Sequence, residues 1–310
     1  MKKRVVVALG GNALGNDLEE QWESVKRTVK VIADLVDEGL QVVITHGNGP
    51  QVGMLQTAMS EFSDSHSYAK PTPLTVCIAM SQGYIGYDLQ NRMSAELEKR
   101  GRNIPVTTLI TQVRVDKEDP AFLNPTKPIG RFLTEEEAKK KETENIHFVE
   151  DSGRGYRQVV ASPAPQEIIE LDTIKTLLDD HYIVIACGGG AVPVIRTEDG
   201  LKGIDAVVDK DYISAFLAKE LDADQLIILT AVEQVALNYM KEDQEWISKM
   251  SVEEAKAYSK EGHFAPGSML PKVEAAVQFA ESKKGRETLI TLLDKAKDGI
   301  NGKTGTIIYS

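Results

Sequence analysis

The sequence predicts an α/β fold that is doubly wound around one mostly parallel open sheet. An apolar run, Val5–Leu9, ends abruptly at Gly10 and Gly11, and a second run, Val42–Ile44, leads into His46–Gly53 with its three glycines. Between them, apolar residues recur at three- and four-residue steps from Trp22 to Val36, which is the periodicity of an amphipathic helix. Strand, helix and strand joined by short links favour a parallel pair with a right-handed crossover.

The same alternation continues along the chain. Tyr182–Ala186 is a third apolar run that ends in glycines, Cys187–Gly190, and the carboxyl ends of parallel strands are where open α/β sheets bind ligands. The remaining predicted helices are Leu74–Arg100, Gln166–Asp180, one from about Asp209 to Leu221, one capped by Ser251, and one with Pro271 and Lys272 at its start. The remaining predicted strands are Pro105–Ile110, Leu226–Leu229, Thr288–Ile290 and Thr306–Ile308.

One segment breaks this pattern. From about 113 to 160 the chain is polar and rich in turns, with Asn124–Gly130 and Asp151–Gly155 as its clearest loops. A stretch of this length without core periodicity is typically functional or mobile, so we expect a subdomain that protrudes from the sheet. No linker separates two halves, and residues 1–310 are therefore predicted to form a single domain.

Composition excludes several classes of function. The 310 residues include 47 acidic and 36 basic side chains, and the net charge of -11 argues against a nucleic acid or an anionic membrane as partner. The first apolar run is too short for a signal peptide or a membrane span, so a cytoplasmic protein is expected. Neither Cys77 nor Cys187 has metal-ligand spacing to a histidine, and the five histidines are scattered, which makes a zinc site improbable.

The glycine turns predict a site for phosphate groups. Glycines permit φ > 0 and let backbone N–H groups converge on an anion. The expected phosphate- or substrate-binding residues are Gly10, Gly11, Asn12, Gly47, Asn48, Gly49, Gly188 and Gly189. Neither a P-loop nor a dinucleotide-binding fingerprint is present, since Gly302–Thr304 lacks the leading glycine and Gly53 lies one residue too far from Gly49.

Three lysines in glycine or proline loops are candidates for the full positive charge that a transferring phosphoryl group needs. Lys127 lies between two prolines in the protruding segment, Lys210 stands between Asp209 and Asp211, and Lys272 follows Pro271. A lysine taken singly is more often a solvated surface group, so the loop positions carry the prediction.

The motifs together resemble the carbamate kinases, a group within the amino acid kinase family. They span nearly the whole chain in the expected order: Val7–Leu14, His46–Gly53, Asn124–Gly130, Cys187–Gly190, Asp209–Asp211 and Gly267–Lys272. The resemblance implies a homodimeric three-layer α/β/α sandwich with a protruding subdomain, ATP or ADP as substrate with Mg²⁺, and reversible phosphoryl transfer between carbamoyl phosphate and ADP. In such proteins the N-terminal half is the acceptor side and about 182–310 the nucleotide side, and the reaction usually produces ATP from arginine or agmatine breakdown.

The resemblance also implies roles for individual residues. Lys210 and Lys272 would hold the phosphates, Lys127 would reach over the transferring group, and Asp211 would organise the lysines, with Asp209 as the competing choice. Many family members carry a lysine where this chain has Ala8, so the charge must come from elsewhere. Apolar contacts to the nucleotide are expected from Thr230, Ala231, Val232, Tyr239 and Met269.

The substrate's own charge predicts the mechanism. Carbamate is already an anion and can attack phosphorus without a general base, so the protein's task is alignment and charge neutralisation. Two alternatives remain open at this point: another small-acid kinase of the family, acting on acetylglutamate or UMP, and a nucleotide sensor without catalysis. A sensor would keep the glycine turns but would not need three loop lysines.

Overall fold

The structure is a computed structural model that describes residues 2–15, 18–142, 146–150 and 153–310. Asp151 and Ser152, at the start of one predicted loop, lie outside the described residues. The strands are β1 (Arg4–Leu9), β2 (Gln41–His46), β3 (Val106–Thr108), β4 (Gln112–Val115), β5 (Lys127–Leu133), β6 (His147–Glu150), β7 (Tyr156–Val160), β8 (Pro165–Ile168), β9 (Ile183–Ile185), β10 (Val192–Thr197), β11 (Gly200–Gly203), β12 (Gln225–Thr230), β13 (Val235–Leu237), β14 (Glu245–Ile247), β15 (Lys249–Ser251), β16 (Glu287–Leu292) and β17 (Thr306–Tyr309).

Most of the α-helices in the described residues begin and end close to the positions predicted from the sequence. The helices are α1 (Leu18–Asp37), α2 (Gly49–Ser65), α3 (Leu74–Lys99), α4 (Glu135–Lys141), α5 (Leu171–Asp179), α6 (Lys210–Glu220), α7 (Val252–Lys260), α8 (Met269–Glu281) and α9 (Ala296–Ile300). Among these helices, none is long and apolar enough to cross a membrane.

The central sheet has eight strands in the order β15-β17-β16-β12-β1-β2-β9-β3. Neighbouring strands are parallel in the pairs β16–β12, β12–β1, β1–β2, β2–β9 and β9–β3. Strand β17 runs antiparallel to β16. The predicted open and mostly parallel sheet is therefore confirmed. Parallel pairing places the ends of β12, β1, β2 and β9 at one common edge.

Alternation along β1 divides the core into two layers. Val5, Val7 and Leu9 pack on one face with the buried sides of α1 and α3, whereas Val6 and Ala8 pack on the other with α6 and α8. All five side chains are fully buried. Helices thus cover both faces of the sheet, which confirms the three-layer α/β/α class.

Three smaller sheets accompany the central one in the described residues, and the smallest of them pairs β13 with β14. β11, β10, β4 and β8 form a four-stranded sheet, while β5, β7 and β6 form a three-stranded sheet within the segment predicted to protrude. The division of the chain into acceptor and nucleotide sides stays a prediction. Close packing joins β5 to α2, because a Cβ on Gly53 would lie 3.0 Å from the Cα of Gly130.

One helix prediction needs correction, and one helix was missed. The start of the helix predicted over 166–180 is wrong, since Pro165–Ile168 is strand β8 and the helix begins at Leu171. Helix α2 was not predicted at all. It begins in a glycine- and proline-containing turn, and its buried positions in the first turns are Gln51, Val52 and Gly53, so it lacks an apolar stripe.

Packing against the neighbouring backbone requires glycine in the run that follows β9, Gly188–Gly190, as much as any ligand does. Gly190 has φ +94°, and a Cβ there would lie 1.9 Å from the carbonyl oxygen of Val208. Its neighbour Ala191 and the preceding Cys187 also have positive φ, at 65° and 53°. Only glycine at position 190 lets this loop pass directly beneath the segment that leads into α6.

We predict that Gly190→Ala is far more damaging than Gly39→Ala. Gly39 has a similar φ of +86° but nothing within 4 Å of an added Cβ, so its substitution adds only backbone strain, worth about 1–2 kcal/mol. At Gly190 the clash with backbone adds roughly 1–3 kcal/mol more. Urea unfolding of both variants measures this difference, and equal midpoints would contradict the packing role.

Candidate active site

A cleft lies at the sheet edge where the parallel strands end. Its volume is about 350 Å³, and its walls come from the turns after β1 and β2, the start of α2, strand β5 and the starts of α6 and α8. A second cavity of about 190 Å³ adjoins it. Ser268 and Lys272 line both cavities, so the two spaces meet at the start of α8.

Each of the three glycine turns contributes residues to the cleft wall. Gly11, Gly47, Asn48, Gly49 and Gly189 line the cleft. Gly49 is the first residue of α2, where backbone N–H groups have no intrahelical acceptor and favour an anion.

Two amides that were predicted to face a phosphate are bonded within the sheet instead. The N–H of Gly10 donates to the carbonyl of Leu229 at 3.2 Å, and the N–H of Gly47 donates to the carbonyl of Leu9 at 3.2 Å. These amides extend the sheet and are not available for a phosphate. Gly188 is buried against the ring of His46, where a Cβ would lie 2.3 Å from Nε2. Asn12 lies in a short 3₁₀ turn, Gly11–Ala13.

The centre of the site is one buried carboxylate held between two lysines. Asp211 is 3% exposed, and it accepts a hydrogen bond from Lys210 Nζ at 2.6 Å and one from Lys272 Nζ at 3.2 Å. Lys272 Nζ also donates to the carbonyl of Ser268 at 3.0 Å. Asp211 thereby joins the start of α6 to the start of α8 and fixes both ammonium groups in the cleft wall.

Asp209 has a separate task. Its side chain caps α6 by accepting from the N–H of Asp211 at 2.8 Å, and its other oxygen pairs with Lys127 on β5. The two aspartates that the sequence left as alternatives thus hold different lysines. Lys127, 82 residues away in the chain, is drawn over the cleft by this ion pair.

The electrostatics of the cluster suit an anionic ligand. Burial by itself raises the pKa of Asp211, but the charges and hydrogen bonds of Lys210 and Lys272 outweigh it and hold that pKa below the usual value. Burial lowers the pKa of Lys272, and the charge of Lys210 adds to this, while Asp211 opposes it. Three lysines against two carboxylates leave a net positive charge facing the cleft.

Sequence reasoning missed several residues of the cleft wall, most notably Arg157 and Gln51. Arg157 projects from β7, and its Nε donates to the carbonyl of Gly130 at 3.1 Å. The residue lies in a polar stretch where no spacing singles it out. Gln51 lies within the predicted turn motif, but its amide has no distinguishing pattern in the sequence.

The second cavity is lined by the residues that were predicted to contact a nucleotide. Thr230, Ala231, Val232, Tyr239 and Met269 all line it. Residues that sequence reasoning missed complete its wall: Gln234, Ala236, His263, Phe264 and Ala265. The cavity is mostly apolar and opens beside Lys272, which fits a flat base bound next to a chain of phosphates.

The aspartates of the cluster do not form a ready-made magnesium cage. Each of the four carboxylate oxygens of Asp209 and Asp211 already accepts a hydrogen bond or ion pair. In the described ranges no group of three His, Cys, Asp or Glu side chains could hold a metal ion. A Mg²⁺ ion that enters with a nucleotide fits this site better than one held by the protein alone, because Mg²⁺ readily keeps phosphate and water ligands.

A sheet-edge cleft with fixed lysines beside an apolar cavity defines a phosphoryl-transfer protein of the α/β/α class. The model of the amino acid kinase family matches residues 3–291. Carbamate kinase-like protein YqeA of Escherichia coli is 56% identical over 308 residues, which cover 99% of both chains. Carbamate kinase 3 of Staphylococcus aureus is 51% identical over 306 residues, covering 98% of this chain and 99% of the relative.

Solved structures agree with this family. The carbamate kinase from Giardia lamblia bound to AMP-PNP has 42% sequence identity and a TM-score of 0.91, with 99% of this chain and 98% of that chain covered. The chain therefore belongs to the amino acid kinase family, and the resemblance found in the sequence is confirmed.

His46 is a buried group next to the cleft. Only 1% of its surface is exposed, its Nδ1 is 2.8 Å from the carbonyl of Gly47, and its Nε2 has no partner among the described residues. Burial lowers the pKa of His46 to about 4, the hydrogen bond to Gly47 opposes this, and the charge of Lys210 lowers the pKa further. His46 is therefore neutral in the folded protein at neutral pH.

We predict that His46 makes stability fall on mild acidification. An unfolded chain protonates His46 below its ordinary pKa of 6.5, whereas the folded chain resists protonation until about 4. The contribution of neutral His46 to the free energy of unfolding is complete above pH 6.5. It is lost as the pH falls toward 4, by about 3 kcal/mol in total. Urea unfolding between pH 4 and 7 gives the free energy of unfolding as a function of pH. This free energy should fall less steeply with falling pH in His46→Gln than in His147→Gln, which replaces an exposed histidine. Identical slopes would contradict the assignment.

Proposed function

We propose that this chain is an ATP-dependent carbamate kinase, which catalyses the reversible reaction ATP + carbamate = ADP + carbamoyl phosphate. The observation that carries the proposal is the junction of the two cavities at Lys272, which leads from an apolar space into a cleft with three fixed lysines. Relatives named carbamate kinase at about half identity over nearly the full chain support the choice of acceptor. The name printed for the E. coli relative is carbamate kinase-like.

In this proposal the nucleotide base occupies the apolar cavity and its phosphates extend past Lys272 into the cleft. The solved carbamate kinase from Giardia lamblia is bound to AMP-PNP, which supports a nucleotide as the ligand of this chain. Mg²⁺ accompanies the nucleotide and supplies further neutralisation of phosphate charge when bound. Thr230, Ala231, Val232, Tyr239 and Met269 are the proposed contacts to the base.

Charge neutralisation and alignment account for the chemistry. Carbamate attacks as an anion and needs no general base, so the main obstacle is repulsion between two anions. Lys210 and Lys272, held by Asp211, would stabilise the phosphoryl oxygens, and Lys127 would cover the transferring group from β5. Amides at the start of α2 and the turn at Gly11 add partial charges.

The physiological setting belongs to the same proposal. We place the reaction in the direction of ATP synthesis at the end of arginine or agmatine breakdown, in the cytoplasm, with the protein acting as a homodimer. These statements rest on the resemblance to carbamate kinases.

Incubation of the purified protein with ADP, Mg²⁺ and carbamoyl phosphate tests the proposal directly. Formation of ATP is the expected result. No ATP from carbamoyl phosphate, but transfer from ATP to acetylglutamate or UMP, would replace carbamate by another acceptor. Binding of ATP without transfer to any of these acceptors would favour a nucleotide sensor.

We predict that Lys210→Ala and Lys272→Ala each lower kcat by about 10²–10³ or more, because each removes one preorganised charge from the transition state. Lys219→Ala on the exposed side of α6 is the matched control and should leave kcat unchanged. Circular dichroism checks that the variants fold. Near-wild-type turnover in either cleft variant would refute the assigned role.

Resistance to disulfiram is a further expectation. A Giardia carbamate kinase structure, 41% identical with a TM-score of 0.87 over 99% of both chains, is thiocarbamoylated by disulfiram on a cysteine. In this chain both cysteines, Cys77 and Cys187, are fully buried, and burial raises the pKa of each thiol. We predict no mass increase and no loss of ATP formation after treatment of the folded protein. Modification in urea is the positive control, and rapid modification of the native protein would contradict the prediction.

A further inference from the structure

Gln51 is an unusual residue in the wall of the cleft. It lies in the first turn of α2, is 4% exposed, and lines the cleft alongside the glycine turns. Its amide oxygen, Oε1, is buried and has no hydrogen-bond partner among the described residues. A buried acceptor without a donor is costly, which calls for an explanation in a folded protein.

The orientation of this amide follows from a chain of polar contacts. Arg92 Nε donates to Asp88 Oδ1 at 2.7 Å, and Gln21 Nε2 donates to Asp88 Oδ2 at 3.3 Å. An ionised carboxylate only accepts, so the nitrogen of Gln21 must face Asp88. The oxygen of Gln21 is then left to face Gln51.

The same reasoning orients Gln51. Its Nε2 faces two acceptors, Gln21 Oε1 at 3.1 Å and the carbonyl of Gly15 at 3.4 Å. A rotated amide would place oxygen against both of them. The nitrogen is therefore committed to the protein, and the oxygen is the atom left over.

An unpaired acceptor is not useful for binding a phosphate or a carboxylate, which only accept hydrogen bonds. It requires a donor on the bound molecule. Carbamate and carbamoyl phosphate carry an NH₂ group, whereas acetate and acetyl phosphate carry a methyl group in that position and have no donor there. The other unpaired buried acceptor near the site in the described residues is His46 Nε2, and it lies against Gly188.

We propose that Gln51 Oε1 accepts a hydrogen bond from the amino group of carbamate or carbamoyl phosphate and so selects carbamate over small carboxylates that lack a donor in that position, such as acetate. This inference rests on the proposed function and adds the basis of acceptor choice. Gln51 lines the cleft and not the second cavity, and its unpaired oxygen needs a donor, which the phosphates of a nucleotide lack, so its effect falls on the acceptor. Gln21 is a positioning residue, since it acts only by fixing the amide of Gln51.

The test compares Gln51→Met with wild type in the transfer of a phosphoryl group to ADP. Two phosphoryl donors are used, carbamoyl phosphate and acetyl phosphate. Methionine fills a similar volume without an amide. We expect kcat/KM for carbamoyl phosphate to fall about 10–100-fold, because the acceptor is lost. The kcat/KM for acetyl phosphate, or its inhibition constant where it acts only as a competitive inhibitor, should change less than about threefold. The KM for ADP should stay the same.

Gln82→Met is the matched control. Gln82 is equally buried, at 1%, but both ends of its amide bond to the backbone of Thr111, away from the cleft. Loss of this amide affects stability without altering the ratio of kcat/KM for the two phosphates. Gln21→Met provides a second variant of the site and should reduce the ratio in the same direction by a smaller factor.

The outcomes separate the inference from the proposed function. ATP formation by wild type with an unchanged ratio in Gln51→Met and Gln21→Met refutes the inference alone. An equal fall for both phosphates in Gln51→Met also refutes it, since that result indicates a structural role. Absence of ATP formation from carbamoyl phosphate in wild type refutes the proposed function and the inference together.

Discussion

The site depends on the interaction of Asp211 with Lys210 and Lys272. Two ammonium groups in a largely buried wall repel each other, and burial lowers the pKa of Lys272. A single carboxylate binds both, one on each oxygen, and offsets this repulsion. Because the lysines lie in the first turns of different helices, the same contact also fixes α6 against α8 and sets the junction between the two cavities.

The second aspartate extends this arrangement to the rest of the chain. Asp209 caps α6 with one oxygen and binds Lys127 with the other, so the helix start and the strand β5 are held by one side chain. The tight approach of Gly53 to Gly130 permits this contact by letting β5 lie directly on α2. The cleft is therefore closed by backbone packing on one side and by charge pairing on the other.

Much of the fold could be predicted because its signals are local. Buried parallel strands such as β1 and β2 read as short apolar runs, and α1 and α3 have the length or periodicity of helices. Helix α2 escaped prediction because its cleft-facing turn buries Gln51 and glycine in place of an apolar stripe. Gly10 and Gly11 are indistinguishable in the sequence, yet pairing with β12 occupies the amide of Gly10 while Gly11 lines the cleft.

By itself, the sequence determined the α/β class, the family, the positions of the three lysines and five of the residues that line the apolar cavity, since each depends on residue type and short spacing. The tertiary structure alone decided which aspartate holds which lysine, which glycine amides face the cleft, and that Arg157 and Gln51 belong to its wall. Apart from the adjacent pair Lys210 and Asp211, those properties arise from contacts between residues tens to hundreds of positions apart, such as Gln21 with Asp88 or Asp209 with Lys127. Hydrogen-bond partners at that distance are set by how the layers pack, which no local pattern encodes.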